Sequence, residues 1–184
     1  MQLVEQHIRS WLESFVVGLN LCPFAAGVLD SPELRITVSN AQAADDVRME
    51  FLRELEVLVR SSEEEVATLL LVFPDALGEF EDYLDFLDEA QALVVAAGLD
   101  GLVQLASFHP RYQFEGEEPE SPSNYSNRSP YPVLHLLREN MLTRVLEGFP
   151  EPELIPKRNI RTLNDLGLPA VEQRWRALLL PRQD

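Results

Sequence analysis

Cys22 is the only thiol in the chain, and it stands in Leu21-Cys22-Pro23-Phe24. If Pro23 opens a short helix, Cys22 becomes its N-cap. Peptide N–H groups then point at the sulfur and lower its pKa, which makes a nucleophile or a metal ligand. The opposing reading is a buried cysteine acting as a small hydrophobe between Leu21 and Phe24. Cys-Pro also occurs at thiolate haem ligands, so haem stands as a further alternative.

His109 follows an apolar segment, in Ser107-Phe108-His109-Pro110-Arg111-Tyr112. Ligands of open α/β sheets bind outside the carboxyl ends of the strands, a place suited to a base, a proton donor or a ligand. Pro110 keeps His109 extended. The plainer reading is a histidine hydrogen-bonded to close the strand end.

The stretch from Asn124 to Glu139 is the densest in polar functional groups. Ser129 is placed to cap a helix, and the free N–H groups beyond it form an anion site. Arg128 beside it can grip a carboxylate or phosphate with two parallel bonds, and Asn127 adds a donor. On a helix from Pro130 to Leu146, Tyr131, His135 and Arg138 share one polar stripe. A well-capped surface helix with His135 bonded to a carbonyl is the alternative. The expectation is that Cys22, His109 and the Arg128–His135 stretch converge on one pocket. Cys22, His109 and His135 are the candidate catalytic groups. Asn127, Arg128, Ser129, Tyr131 and Arg138 are the candidate ligand-binding groups.

The elements that must position these residues follow from apolar spacing. Val4, Ile8, Trp11, Leu12, Phe15 and Val16 predict an amphipathic helix over 3–17, stopped by Gly18 and Asn20. His7 lies on it as a surface residue. Residues 34–38 alternate and predict a strand. Residues 41–60 and 79–97 predict helices. The run 66–73 predicts a strand covered on both faces, and 102–108 a third apolar strand. The resulting β-α-β-α-β order predicts a single α/β domain over 1–184, with a small, mostly parallel sheet and flanking helices. Residues 115–129 read as a long loop, of which 115–126 is expected to be mobile until a ligand holds Arg128 and Asn127. Two shorter helices near 157–166 and 169–179 complete a helical C-terminal third.

Composition limits the function. Of 184 residues, 46% are hydrophobic and 25% charged, which excludes wholesale disorder. No apolar run approaches the ~20 residues of a membrane span. No basic, apolar leader precedes Glu5, and a single cysteine forms no internal disulfide, so the expected location is the cytoplasm. The net charge of −16 argues against nucleic-acid binding. It is uneven: residues 1–120 carry 6 basic and 24 acidic side chains, residues 121–184 carry 9 and 7. The basic remainder suits a small anionic ligand. Walker, Gly-x-Gly-x-x-Gly, Gly-x-Ser-x-Gly, Cys-x-x-Cys and His-Glu-x-x-His patterns do not occur, so no metal or nucleotide is assigned. Cys22, His109 and His135 could still share one metal site.

Four segments together are similar to a bacterial domain-of-unknown-function family, numbered fourteen-fifteen. They are Gly18-Leu19-Asn20-Leu21-Cys22-Pro23-Phe24, Gln104 to Phe114 around Phe108-His109-Pro110-Arg111-Tyr112, Asn127-Arg128-Ser129-Pro130-Tyr131-Pro132 with Leu134-His135-Leu136-Leu137-Arg138-Glu139, and Ile155-Pro156-Lys157-Arg158-Asn159-Ile160. The resemblance implies a bacterial-type protein and no activity.

Three functions compete. The first is a thiol-dependent enzyme using Cys22 with a histidine base. The second is a non-catalytic binding module for an anionic metabolite, a metal or haem. The third is an acidic protein-interaction domain. The cofactor and the oligomeric state are not fixed by the sequence.

Overall fold

A computed structural model describes residues 1–147 and 151–179. Strand β1 (Leu34–Val38) leads through helix α3 (Ala44–Arg60) to β2 (Thr68–Val72). Helix α4 (Phe80–Ala96) leads on to β3 (Val103–Phe108). The N-terminal helix α1 spans Gln2–Trp11, and a four-residue helix α2 spans Ala25–Val28. After β3 come β4 (Val133–Arg138), α5 (Glu139–Glu147), α6 (Ile155–Leu166) and α7 (Leu168–Leu178). No helix among the described residues is long and apolar enough to cross a membrane.

The sheet departs from the expected one. Its order is β1-β2-β4-β3, with β1 and β2 parallel and β4 antiparallel to both of its neighbours. It is a mixed sheet rather than a mostly parallel one, and β2 does not pair with β3. The segment expected as a helix over 130–146 is a strand for its first half and a helix only from Glu139. The reason lies in Val133-Leu134-His135-Leu136-Leu137. Val133 joins the core under α1, whereas Leu134 and Leu136 join the core under α3 and α4. Only a strand sends successive side chains to opposite faces in this way. Pro132 lies just ahead of the strand, and its carbonyl accepts the Phe73 N–H at 2.9 Å.

Each face of the sheet carries one layer of helices. Leu69, Leu71 and Phe73 pack with Phe51 of α3 and Phe86 of α4. Leu70 and Val72 pack with Trp11 and Phe15 of the N-terminal segment and Leu163 of α6. Helix α3 is further tied to β1 by Glu54, which is 2% exposed. Its carboxylate accepts both a two-pronged bond from Arg35, at 2.7 and 3.0 Å, and the Thr37 hydroxyl at 2.9 Å. Burial opposes ionisation of Glu54, but these hydrogen bonds and the Arg35 charge hold its pKa below the usual carboxylate value.

The expected helix over 3–17 changes type partway. Leu12–Val17 is π-helical, with i to i−5 bonds such as Gly18 N–H to Glu13 O at 3.0 Å and Leu21 N–H to Val16 O at 2.8 Å. The wider turn brings the Ser14 carbonyl against Gly18, where a Cβ would overlap it. Asn20, in the left-handed region at φ 52°, then reverses the chain. Arg158 and Asn159 of α6 donate to the carbonyls of Asn20 and Leu21 at 3.0 and 2.7 Å. Cys22 is therefore positioned by a π-turn on one side and by α6 on the other.

The segment 115–126, expected as a mobile loop, carries a short element of its own. Pro122–Ser126 forms a 3-10 turn packed on α6, and Ser123 and Asn124 are fully buried. Polar side chains hold it: Asn124 donates to Glu118 O at 2.8 Å and accepts the Phe114 N–H at 3.0 Å. Ser121 and Ser123 donate to the Glu117 carboxylate at 2.6 and 2.9 Å.

Gly18→Ala is expected to lower stability by about 1–3 kcal/mol, because the added methyl meets backbone rather than a movable side chain. Urea unfolding checks this. A loss no larger than that of an ordinary exposed-helix substitution would show that the π-turn relaxes freely.

Candidate functional site

A cavity of about 290 Å³ lies between the sheet and the N-terminal layer. Its floor is the face of β2, β3 and β4 that carries Thr68, Leu70, Ala106, Phe108, His135 and Leu137. Trp11, Leu12 and Val16 wall it on one side. Cys22 and the segment through Leu29 wall another, and Met141, Leu142 and Leu146 of α5 a third. Alternation along the strands explains the floor: Val133, His135 and Leu137 share one face of β4, and Ala106 and Leu70 flank His135 in register.

His135 and Cys22 thus meet the same cavity although they come from distant elements. The Nε2 of His135 pairs with the Thr68 hydroxyl at 2.5 Å, and its ring lies 6.3 Å from that of Phe108. Burial pushes its pKa down to about 4. The imidazole is therefore neutral at physiological pH.

Cys22 is not a helix N-cap. The short helix begins at Ala25 after Phe24. Burial pushes the thiol up and outweighs the N–H groups of Phe24 and Ala25 and the charge of Arg158. This reverses the expected direction, because removing an anion from water costs more here than the donors return.

His109 stands apart from both. It is fully buried beside Phe80 and Tyr83, whose ring centroids each lie 5.2 Å away. Its Nε2–H donates to Leu77 O at 3.0 Å, and its Nδ1 accepts the Arg111 N–H at 3.0 Å. Both nitrogens are committed, the tautomer is fixed, and burial lowers its pKa. His109 joins the end of β3 to the turn before α4, where Leu77 has a left-handed φ of 57°. The expected convergence therefore holds for Cys22 and His135 but not for His109. Among the described residues, no cluster of three or more His, Cys, Asp or Glu side chains could hold a metal ion.

The five expected ligand-binding residues do not line this cavity. Arg128 donates to the carbonyls of Tyr112 and Pro119 at 3.1 and 2.7 Å and lies 4.6 Å over the Tyr125 ring. Asn127 donates to Ser107 O at 3.1 Å, and its own carbonyl accepts the His109 N–H at 3.1 Å. Ser129 donates to Tyr131 O at 2.5 Å, and the Tyr131 hydroxyl pairs with His7 Nδ1 at 2.9 Å. Arg138 donates to the carbonyls of Leu58, Ser61 and Val66 at 2.6, 2.7 and 2.9 Å, closing the end of α3. Tyr131 precedes β4, and His135 and Arg138 fall on opposite faces of it, so the three cannot form the stripe that a helix would give them.

Thr68 and the wall residues Trp11 and Met141 were not singled out from the sequence. One signal was present: Thr68 and His135 are the polar interruptions in the two most apolar strands, and they pair across them.

A family model described as Protein of unknown function (DUF1415) matches residues 3–173. The chain belongs to that family. The match covers every element around the cavity, so the cavity lies within the DUF1415 domain. No curated protein and no solved structure matches the chain.

The depressed pKa of His135 gives a pH dependence of known sign. Between about pH 6.5 and about pH 4 the unfolded chain binds a proton there that the folded chain does not. This histidine's contribution therefore favours folding fully above that window and is lost as pH falls through it. His135→Phe removes the term. Urea unfolding near pH 7.5 and near pH 4.5 should show the variant losing less stability on acidification than the wild type. An equal loss would show that the ring takes up its proton alike in the folded and unfolded chains.

Cys22 should alkylate with iodoacetamide more slowly in the folded protein than in the urea-unfolded chain at the same mildly alkaline pH. Faster reaction in the folded state would restore an activated thiolate.

Proposed function

We propose that this protein is a binding module for a small, predominantly apolar molecule, held in the cavity between the sheet and the N-terminal layer. The observation that carries the reading is the wall itself. Its described side chains are mostly aliphatic or aromatic, with Cys22, Thr68, Gln104 and His135 as the polar exceptions, and among the described residues no lysine, arginine or carboxylate lines it. Ligand pockets are characteristically apolar with a few polar groups that fix orientation. At about 290 Å³ the space suits a compact ligand. Covering roughly 200 Å² of apolar ligand surface contributes about 5 kcal/mol before the costs of association.

The anionic ligand expected from Arg128 and Arg138 is less well supported, since both guanidinium groups serve backbone carbonyls. A cytoplasmic setting fits a chain with one cysteine.

A thiol-dependent enzyme is the second reading, favoured by the shared cavity of Cys22 and His135. Its chemistry is weaker. The thiol pKa is raised, and an imidazole with a pKa of about 4 is a poor base at neutral pH.

Titration with the neutral dye N-phenyl-1-naphthylamine tests the binding reading. The wild type should enhance dye fluorescence and quench Trp11. Ala106→Trp, which fills the floor from β3, should weaken binding by roughly tenfold or more while unfolding at a similar urea concentration. Cys22→Ala should still bind. Unchanged dye binding in Ala106→Trp would overturn the assignment to this cavity.

A further inference from the structure

We infer that the ligand of this cavity is an uncharged apolar molecule bearing one hydroxyl, an alcohol or a phenol, and that Nδ1 of His135 receives that hydroxyl. This rests on the binding reading above and names its ligand class.

The two ring nitrogens of His135 are not equivalent. Nε2 is taken by Thr68 Oγ1. Among the described residues Nδ1 has no hydrogen-bond partner. It is also not sealed away. The buried side-chain atoms without a partner among the described residues are Trp11 Nε1 and Asn159 Oδ1. Nδ1 is not one of them, His135 is half-buried, and its side chain lines the cavity. Nδ1 is thus an accessible polar atom without a described partner, on a ring whose other nitrogen is anchored; Gln104, the other uncharged hydrogen-bonding side chain of the lining without a described partner, is exposed at its edge, and Trp11 Nε1 is buried in the wall. An apolar ligand with no polar group would cover Nδ1 and leave it unsatisfied, at the cost of its hydration.

The partner must match Nδ1 in either proton arrangement. Thr68 Oγ1 lies 2.5 Å from Nε2 and 3.4 Å from the Leu136 carbonyl. When the threonine proton points to Nε2, the ring carries its own proton on Nδ1, which becomes a donor. When that proton points to Leu136 O, Nε2–H donates to Oγ1, and Nδ1 becomes an acceptor. A hydroxyl serves both cases because it donates and accepts. A ketone or an ether serves only the first.

Charge narrows the class further. A carboxylate ligand would lose its hydration against walls with no cation to replace it. An ammonium group would find no carboxylate. The remaining wall, from Trp11 and Phe108 to Leu70 and Met141, suits hydrocarbon.

The test compares 4-propylphenol, propylbenzene and 4-propylbenzoate by calorimetric titration of the whole chain. The phenol should bind roughly tenfold tighter than the hydrocarbon, the worth of one buried hydrogen bond. The benzoate should bind weakest. In His135→Phe the phenol should fall to the hydrocarbon's affinity while the hydrocarbon still binds, which shows an intact cavity. In the wild type, long-range 1H–15N spectra should show the Nδ1 resonance of His135 moving with 4-propylphenol and remaining in place with propylbenzene. That measurement stands even if the variant fails to fold. Equal affinity of phenol and hydrocarbon, a phenol advantage that survives His135→Phe, tightest binding of the benzoate, or an unmoved Nδ1 resonance would each overturn the hydroxyl assignment while leaving an apolar cavity intact. If none of the three binds, the cavity reading itself fails and this inference falls with it.

Discussion

β4 is wedged between β2 and β3, and the rest of the structure depends on that placement. Without it the two neighbours have no common partner. β4 is hydrogen-bonded along both edges, and its Leu134 and Leu136 fill the core under α3 and α4. Its opposite face carries Val133, His135 and Leu137 toward the N-terminal layer. Its last residue, Arg138, caps α3 through the Leu58 and Ser61 carbonyls and also binds Val66 O ahead of β2. Six residues thus join the two halves of the sheet, close a helix end and set the only histidine on the cavity floor.

The architecture concentrates polar work in places that are sealed rather than open. Glu54 holds β1 to α3, His109 ties the end of β3 to the turn before α4, and Arg128 fastens two loop carbonyls. Each of these groups could serve a ligand in isolation. Each instead spends hydrogen bonds on the fold, Glu54 and His109 as buried polar groups must. His135 differs because Thr68 pairs with one nitrogen and no described residue pairs with the other, on a side chain that lines the cavity. This separates a structural histidine from a candidate binding histidine more clearly than burial does.

Much of the scaffold was legible from spacing. The helices near 41–60 and 79–97 and the strands near 34–38, 66–73 and 102–108 carry long periodic or β-branched patterns, and the structure places elements there. β4 was not legible, because Ser129, Pro130 and Pro132 together imitate a helix start, and a short apolar run supports either state. The loop before it was misread for a different reason. Its order comes from Asn124, Ser121 and Ser123 bonding to nearby groups, and polar composition alone resembles a flexible segment. At the site, Cys22 and His135 were visible as isolated reactive types. The direction of the Cys22 shift was not, since it depends on how much apolar surface surrounds the sulfur. Thr68 was hidden because a single threonine in a strand has many ordinary explanations.

The late position of β4 in the chain also bears on how the protein is made. A ribosome releases β1, β2 and β3 well before residues 133–138, so the strand that must separate β2 from β3 arrives last. Until then the nascent chain holds apolar strands with unsatisfied edges, a state prone to wrong pairing. The carbonyls of Asn20 and Leu21 wait longer still, for Arg158 and Asn159. Synthesis of the protein therefore places its most exposed moment between the emergence of β3 and that of α6, and chaperone dependence should concentrate in that interval.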